Sequence, residues 1–103
     1  MGKTKAQKLG ITKFPYFEYD DKDYITYYET SNGYWWKQEY DKNGNLMYIE
    51  WDDGTWVKRE FDDKGNITYR ECNDGHWRKT EYDKYDNKTY LEWHDGHKIY
   101  YII

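Results

Sequence analysis

The chain is poor in most of what a small globular domain is built from. It has one cysteine, Cys72, so no intrachain disulfide can brace it and an oxidising compartment is not implied. It has one proline, and Ile, Leu and Val together number 11 in 103 residues. No apolar run approaches the ~20 residues of a membrane span, and the basic N-terminus lacks the apolar segment of a signal peptide. The expectation is a cytoplasmic protein with no membrane partner. A nucleophile elbow, a phosphate loop and a zinc signature are also missing. Catalytic residues, cofactors and metal ligands are therefore all expected to be none, and the chain is not expected to be an enzyme.

What the chain has in quantity is aromatic side chains, 23 of them. Each Tyr or Trp can bury about 150–250 Å² while keeping a polar tip in reach of water, which suits a thin fold with much wet surface. Charge is unevenly placed. Residues 1–13 hold four lysines and no acid, and the remainder holds twelve cations against all twenty acids, a net of −8. An acidic body argues against direct nucleic-acid binding, where neutralising phosphates dominates, and suits a partner with a basic surface.

The sequence repeats every 21 residues without a gap. With the register set at Glu18, Glu39, Glu60 and Glu81, the units are 18–38, 39–59, 60–80 and 81–101. Aligned positions carry Tyr19, Tyr40, Phe61 and Tyr82, then Tyr27, Tyr48, Tyr69 and Tyr90, then Gly33, Gly54, Gly75 and Gly96. Trp35, Trp56 and Trp77 follow two residues after the first three of these glycines. Residues 1–13 read as a basic flexible arm with a helical turn around Lys5 to Leu9, and residues 14–103 as a single β-repeat domain.

Two turn signals alternate. One is a triplet ending in glycine, as in Asp52-Asp53-Gly54; the other is Asp-x-x-Gly-Asn, as in Asp41 to Asn45, expected to be slightly longer. Between them the alternation predicts strands at 15–19, 24–30, 34–40, 46–51, 55–61, 67–72, 76–82, 88–93 and 97–102. Short connections require antiparallel neighbours, so the fold class is all-β: an antiparallel meander of about nine strands, twisted or curved, open or half-barrel. With the triplet as a three-residue loop, Tyr48, Glu50, Trp56, Lys58 and Glu60 share one face, and Glu–Lys ladders are expected across it. The C-terminal stretch Lys98 to Ile103 is apolar. It is expected to be covered by a homodimer contact or folded back onto the sheet.

Tyr40-Asp41 with Gly44-Asn45-Leu46, and Phe61-Asp62 with Gly65-Asn66-Ile67, resemble the tyrosine-aspartate (RHS-type) repeat family. Tyr82-Asp83 with Asp86-Asn87-Lys88 matches only in part. The chain is also similar to the tandem Gly-x-Trp-x-Lys-x-Glu-Tyr-Asp repeats of short bacterial and phage proteins. These resemblances cover residues 18–98 and imply β-hairpin units building a curved sheet, with no catalytic residues to carry over. Four units are too few to enclose a cargo.

Three functions compete on these residues. The first is a non-enzymatic protein-interaction module, in one version a phage-encoded inhibitor of a host defence protein, docking on a basic host protein. Its contact residues would be Asp52, Asp53, Asp62, Asp63 and Asp74 with Trp35, Trp56 and Trp77, since aromatics anchor interfaces and acids set partner choice. The second is an aromatic repeat module for a small ligand or glycan, and the third a self-assembling subunit. Cys72, His76, His94 and His97 flank two turns but occupy slots filled elsewhere by ordinary turn residues, so zinc is not expected. Asp41-x-Asn43-x-Asn45 lacks the acid that would complete a calcium loop.

Overall fold

The computed structural model describes residues 3–101. Helix α1 (Lys5–Leu9) precedes strands β1 (Tyr16–Tyr19), β2 (Ile25–Glu29), β3 (Trp35–Tyr40), β4 (Leu46–Trp51), β5 (Trp56–Phe61), β6 (Ile67–Cys72), β7 (Trp77–Tyr82), β8 (Lys88–Trp93) and β9 (Lys98–Tyr100). The strands lie in chain order in one antiparallel sheet that does not close into a barrel. The expected end of the last strand, at 102, lies outside the described residues, as do Ile102 and Ile103.

The molecule measures 57 × 31 × 14 Å with a radius of gyration of 17.7 Å. A compact domain of this length would have a radius near ~13 Å, so this is one layer of sheet with both faces at water. Buried apolar residues among those described are few: Ala6, Tyr27 and Leu91.

Both kinds of turn have the same geometry. In Trp51–Thr55, the Gly54 amide donates to the Trp51 carbonyl at 3.0 Å and the Trp51 amide to the Thr55 carbonyl at 2.9 Å. In Asp41–Asn45, the Gly44 amide donates to the Asp41 carbonyl at 3.1 Å and the Asp41 amide to the Asn45 carbonyl at 2.9 Å. The Asp-x-x-Gly-Asn turn is therefore not longer than the triplet. It differs in its bracing, because Asp41 Oδ1 accepts the Asn43 and Asn45 amides, both at 2.9 Å.

The glycine slot of each turn needs a positive φ, and in the outer units Asp23 (φ 65°) and Asp86 (φ 66°) take it without glycine. Asp86 is compensated by Asn66 Nδ2 at 2.9 Å and Lys64 Nζ at 3.5 Å, whereas Asp23 accepts no side-chain bond among the described residues. Replacing Asp23 with Gly should accordingly raise stability by about 0.5 kcal/mol, the left-handed strain relieved less the added chain entropy. Asp86→Gly should show no gain. Urea titration of the two variants checks this, and a loss of stability in Asp23→Gly counts against it.

One bulge per repeat, between Glu39 and Tyr40 and at the equivalent Glu-aromatic steps, shifts the register and lets a repeat of odd length keep like residues on one face. The pairing then lays residues in rows across the strands. Glu18, Tyr27, Lys37, Glu50 and Trp56 sit side by side; so do Glu39, Tyr48, Lys58, Glu71 and Trp77; so do Glu60, Tyr69, Lys79, Glu92 and Lys98. The shared face read from the sequence is the one observed.

The expected Glu–Lys ladders are thin. Lys37–Glu50, at 3.5 Å, is the one cross-strand Glu–Lys ion pair of the sheet among the described residues. The glutamates instead accept from the tyrosine two positions earlier on their own strand: Tyr48 Oη to Glu50 at 2.8 Å, Tyr69 to Glu71 at 3.1 Å, Tyr90 to Glu92 at 2.9 Å. Loss of water around these hydroxyls, with the neighbouring carboxylate, pushes the tyrosines up, Tyr90 to about 12.

Charged residue types are sorted by location. All eight glutamates lie on the face just described, which we call the Glu face, and all twelve aspartates lie in turns. All three arginines, Arg59, Arg70 and Arg78, lie on the other face.

The N-terminal segment is held against the first repeat. Thr4 caps α1 in a reciprocal box with Gln7, and Gly10 closes it at φ 72°. Five residues cannot hold a helix alone in water. The anchor is Glu29 on β2, 1% exposed, which accepts from Thr4 Oγ1 (2.6 Å), Tyr27 Oη (2.7 Å) and the Ala6 amide (3.1 Å). Lys5 adds an ion pair with Glu18 and lies over the Tyr27 ring at 5.2 Å. The arm read from sequence as flexible is thus docked in this structure through its helical turn.

Candidate functional site

Alternating hairpins put like turns on like edges of the sheet. One edge carries the tips Ser31-Asn32, Asp52-Asp53, Asn73-Asp74 and His94-Asp95; because a Trp follows closely in the first three, we call it the Trp edge. The other, the Asn edge, carries the turns beginning at Asp20, Asp41, Asp62 and Asp83.

The eight residues expected to form one contact surface do not all meet. Trp35, Trp56 and Trp77 open β3, β5 and β7, so they stand on the Glu face just inside the Trp edge, next to Asp52, Asp53 and Asp74. Asp62 and Asp63 lie at the far end of β5, six strand residues away, roughly 20 Å. They stand at the opposite edge of the sheet from the others.

Each indole is half-buried and stacks diagonally on a tyrosine of the preceding strand. Trp35 on Tyr27, Trp56 on Tyr48 and Trp77 on Tyr69 have ring centres 6.0, 6.2 and 6.3 Å apart, with planes tilted by 25–28°. This file of paired rings is repeated in the first three units along the edge and is prearranged, so little side-chain freedom remains to be lost on contact.

The two edges differ in charge. Every Asn-edge turn contains a lysine (Lys22, Lys42, Lys64 or Lys84), and two of these are tied across turns: Lys22 Nζ to the Lys42 carbonyl at 3.1 Å and Lys64 Nζ to the Lys84 carbonyl at 2.6 Å. The Trp-edge turns contain no Lys or Arg. Bracing bonds within the turns hold several carboxyls below their ordinary range. Asp53 is lowered chiefly by the Thr55 hydroxyl and amide, Asp74 by the His76 amide and ring, and Asp62 by the Asn66 amide. Asp52 and Asp63 accept no side-chain hydrogen bond among the described residues, so their carboxylates face water only.

Among the described residues a shallow groove of about 920 Å³ opens between the third and fourth repeats at the Asn edge. Asp62, Asp63, Lys64, Asp83 and Lys84 line it with Tyr69 and Tyr82. Its lysines and acids are mixed, the buried Thr80 lines it between them, and it lies open to water. At the turns considered for zinc, the rings of His76 and His94 meet edge to face at 4.1 Å, and His76 Nδ1 lies 2.7 Å from Asp74. His97 packs on Trp93 instead, and no three His, Cys, Asp or Glu side chains converge among the described residues.

The fold thus defines a single-layer β-meander of tandem hairpins with an aromatic, acidic edge. Comparison with protein-family models and with curated proteins finds no match, so the likeness to tyrosine-aspartate repeats rests on the motif residues themselves.

Proposed function

We propose that this protein is a non-enzymatic interaction module that docks a basic protein surface along its Trp edge. The observation that carries this reading is the coincidence, on that edge alone, of prestacked indoles with turn tips free of lysine. Trp is a favoured interface anchor, and single-sign charge around it speeds encounter and selects the partner. The Glu face behind the edge, with eight glutamates against Lys37, Lys58, Lys79 and Lys98, extends the acidic field. An inhibitor of a nucleic-acid-handling host protein, with the carboxylates occupying phosphate sites, fits the same charge pattern.

The test separates the two edges. Asp52→Lys removes no hydrogen bond at the Trp edge, and Asp63→Lys removes none at the Asn edge, so neither disturbs its turn. Captured from bacterial lysate by tagged protein, a basic partner should be released by high salt. Its affinity should fall at least ~10-fold with Asp52→Lys or Trp56→Ala and by no more than ~2-fold with Asp63→Lys. Undiminished binding by the Asp52 and Trp56 variants would falsify the assignment.

A further inference from the structure

The face opposite the glutamates bears a second, unrelated feature. Arg59 pairs directly with Arg70, Arg70 with Arg78, and Arg78 with Trp93, so three guanidinium groups and an indole form one row across four neighbouring strands. Like charges directly opposite one another destabilise a sheet. Nothing in the fold offsets this: among the described residues no carboxylate lies within ion-pair distance of any of the three, and no strand position on this face carries Asp or Glu. The chain uses lysine at its thirteen other cationic positions and reserves arginine for this row. Arginine differs from lysine in its planar fork of donors, which matches phosphate and carboxylate oxygens in pairs.

A hollow of about 120 Å³ lies at the row's end, between Arg70, Arg78, Trp93, His76 and His94. That is far below the ~300 Å³ at which pockets begin to enclose a drug-sized ligand, and it suits a single phosphate group. His76 Nδ1 lies 2.7 Å from Asp74 Oδ2, so the carboxylate of this turn is engaged with the ring. A long polyanion leaving the row would run onto the acidic turns at either edge, so the occupant must be compact. A second copy stacked on this face by a two-fold axis through the row would set arginine against arginine.

We propose that the Arg59–Arg70–Arg78–Trp93 row binds a nucleotide, its phosphates held by the arginine forks and its base stacked on Trp93. Base–aromatic stacking is tolerant of the base, so the phosphates supply most of the selectivity. This site lies on the opposite face from the contact rows of the Trp edge and stands or falls apart from them.

Calorimetric titration of the full chain with ADP, inorganic pyrophosphate and adenosine tests it. ADP should bind saturably, pyrophosphate at least ~5-fold more weakly, and adenosine without its phosphates not measurably. Arg70→Gln should weaken ADP at least ~10-fold, and Arg70→Lys, which keeps the charge and loses the fork, should also weaken it. Trp93→Phe keeps an aromatic face and should cost less than either. Thermal melting of ligand-free Arg70→Gln guards against trivial loss of fold: its Tm should rise, because opposed like charges have been relieved. Absence of saturable ADP binding, or equal affinity for ADP and pyrophosphate, overturns the proposal. So does a wild-type dimer in sedimentation that Arg70→Gln dissolves, since the row would then serve self-association.

Discussion

Replacing Glu29 with alanine is expected to cost about 3 kcal/mol and to release α1 from the sheet. The carboxylate is 1% exposed and satisfies three donors at once, including the Ala6 amide in the first turn of the helix. Without it those donors meet a methyl group, and a five-residue helix has nothing else strong enough to hold it. The alternative for the chain is to undock, exposing Ala6 and the Tyr27 ring and giving up the Lys5–Glu18 pair. For a domain of this size the change corresponds to a fall in Tm of roughly 12–24 °C. Hydrogen exchange provides the local readout: the Lys8, Gly10 and Ile11 amides, bonded to Thr4, Gln7 and Ala6 carbonyls, should lose protection while those of β5 to β7 keep it.

The same residue carries a pH signature. Burial pushes the Glu29 carboxyl up, but bonds from Thr4, Tyr27 and Ala6 together outweigh it and hold the group below its ordinary value. A carboxyl lowered in the folded state contributes stability that is complete above the unfolded value, about 4.3, and is lost as pH falls through the folded one. The gap in Tm between wild type and Glu29→Ala should therefore be widest near neutrality and narrow below about pH 4. A gap of the same size at pH 7 and pH 3, or a neutral-pH difference within about 2 °C, would show that Glu29 does not anchor the arm.

This anchor was not legible in the sequence, although much else was. The 21-residue register set the strands to within a residue or two over most of the chain, and period-2 alternation placed Tyr48, Glu50, Trp56, Lys58 and Glu60 together because each three-residue loop preserves parity. Glu29, by contrast, is the same residue type at the same repeat position as Glu50, Glu71 and Glu92. Nothing local distinguishes it; only the presence of Thr4 and Ala6 above it does. The capping signal Thr4-x-x-Gln7 was present but short, and its meaning depended on a partner 25 residues away.

The candidate site was legible in composition and not in arrangement. Asp52-Asp53 and Asp62-Asp63 are ten residues apart and look alike in a linear reading. An antiparallel strand carries the chain from one edge to the other in that interval, so the sheet parts them. The arginines show the converse. Arg59, Arg70 and Arg78 occupy unlike positions in their repeats, and alternation alone does not reveal that they pair. The bulge at Glu60 and Phe61 decides the register that brings Arg59 opposite Arg70.

The second large effect concerns one glycine among several alike. Gly44, Gly54 and Gly65 have φ values of 84°, 89° and 85°, so alanine at any of them suffers the same left-handed strain, about 1 kcal/mol after the gain in chain stiffness. Their surroundings differ. A Cβ at Gly54 meets nothing within 4 Å, and at Gly65 it meets Asn45 Oδ1 at 3.7 Å, an ordinary contact. At Gly44 it would lie 2.5 Å from Tyr24 Oη and 3.2 Å from Tyr24 Cζ. The first repeat carries Tyr24 where the later ones carry Asn45, Asn66 and Asn87, and its ring is fixed by stacking on Tyr40 with centres 4.8 Å apart. Gly44→Ala should therefore destabilise by about 3 kcal/mol, against about 1 kcal/mol for Gly54→Ala and Gly65→Ala, the excess being overpacking. Tyr24→Asn restores the residue of the other repeats and removes the obstacle, at the expense of the Tyr40 stack. In the background of that change Gly44→Ala should fall to the cost of Gly65→Ala, a coupling of about 2 kcal/mol in the double-mutant cycle. Denaturant unfolding of the four proteins measures it directly. Equal costs for Gly44→Ala with and without Tyr24 would mean that the tyrosine ring swings clear, and that the stack on Tyr40 does not pin it over the turn.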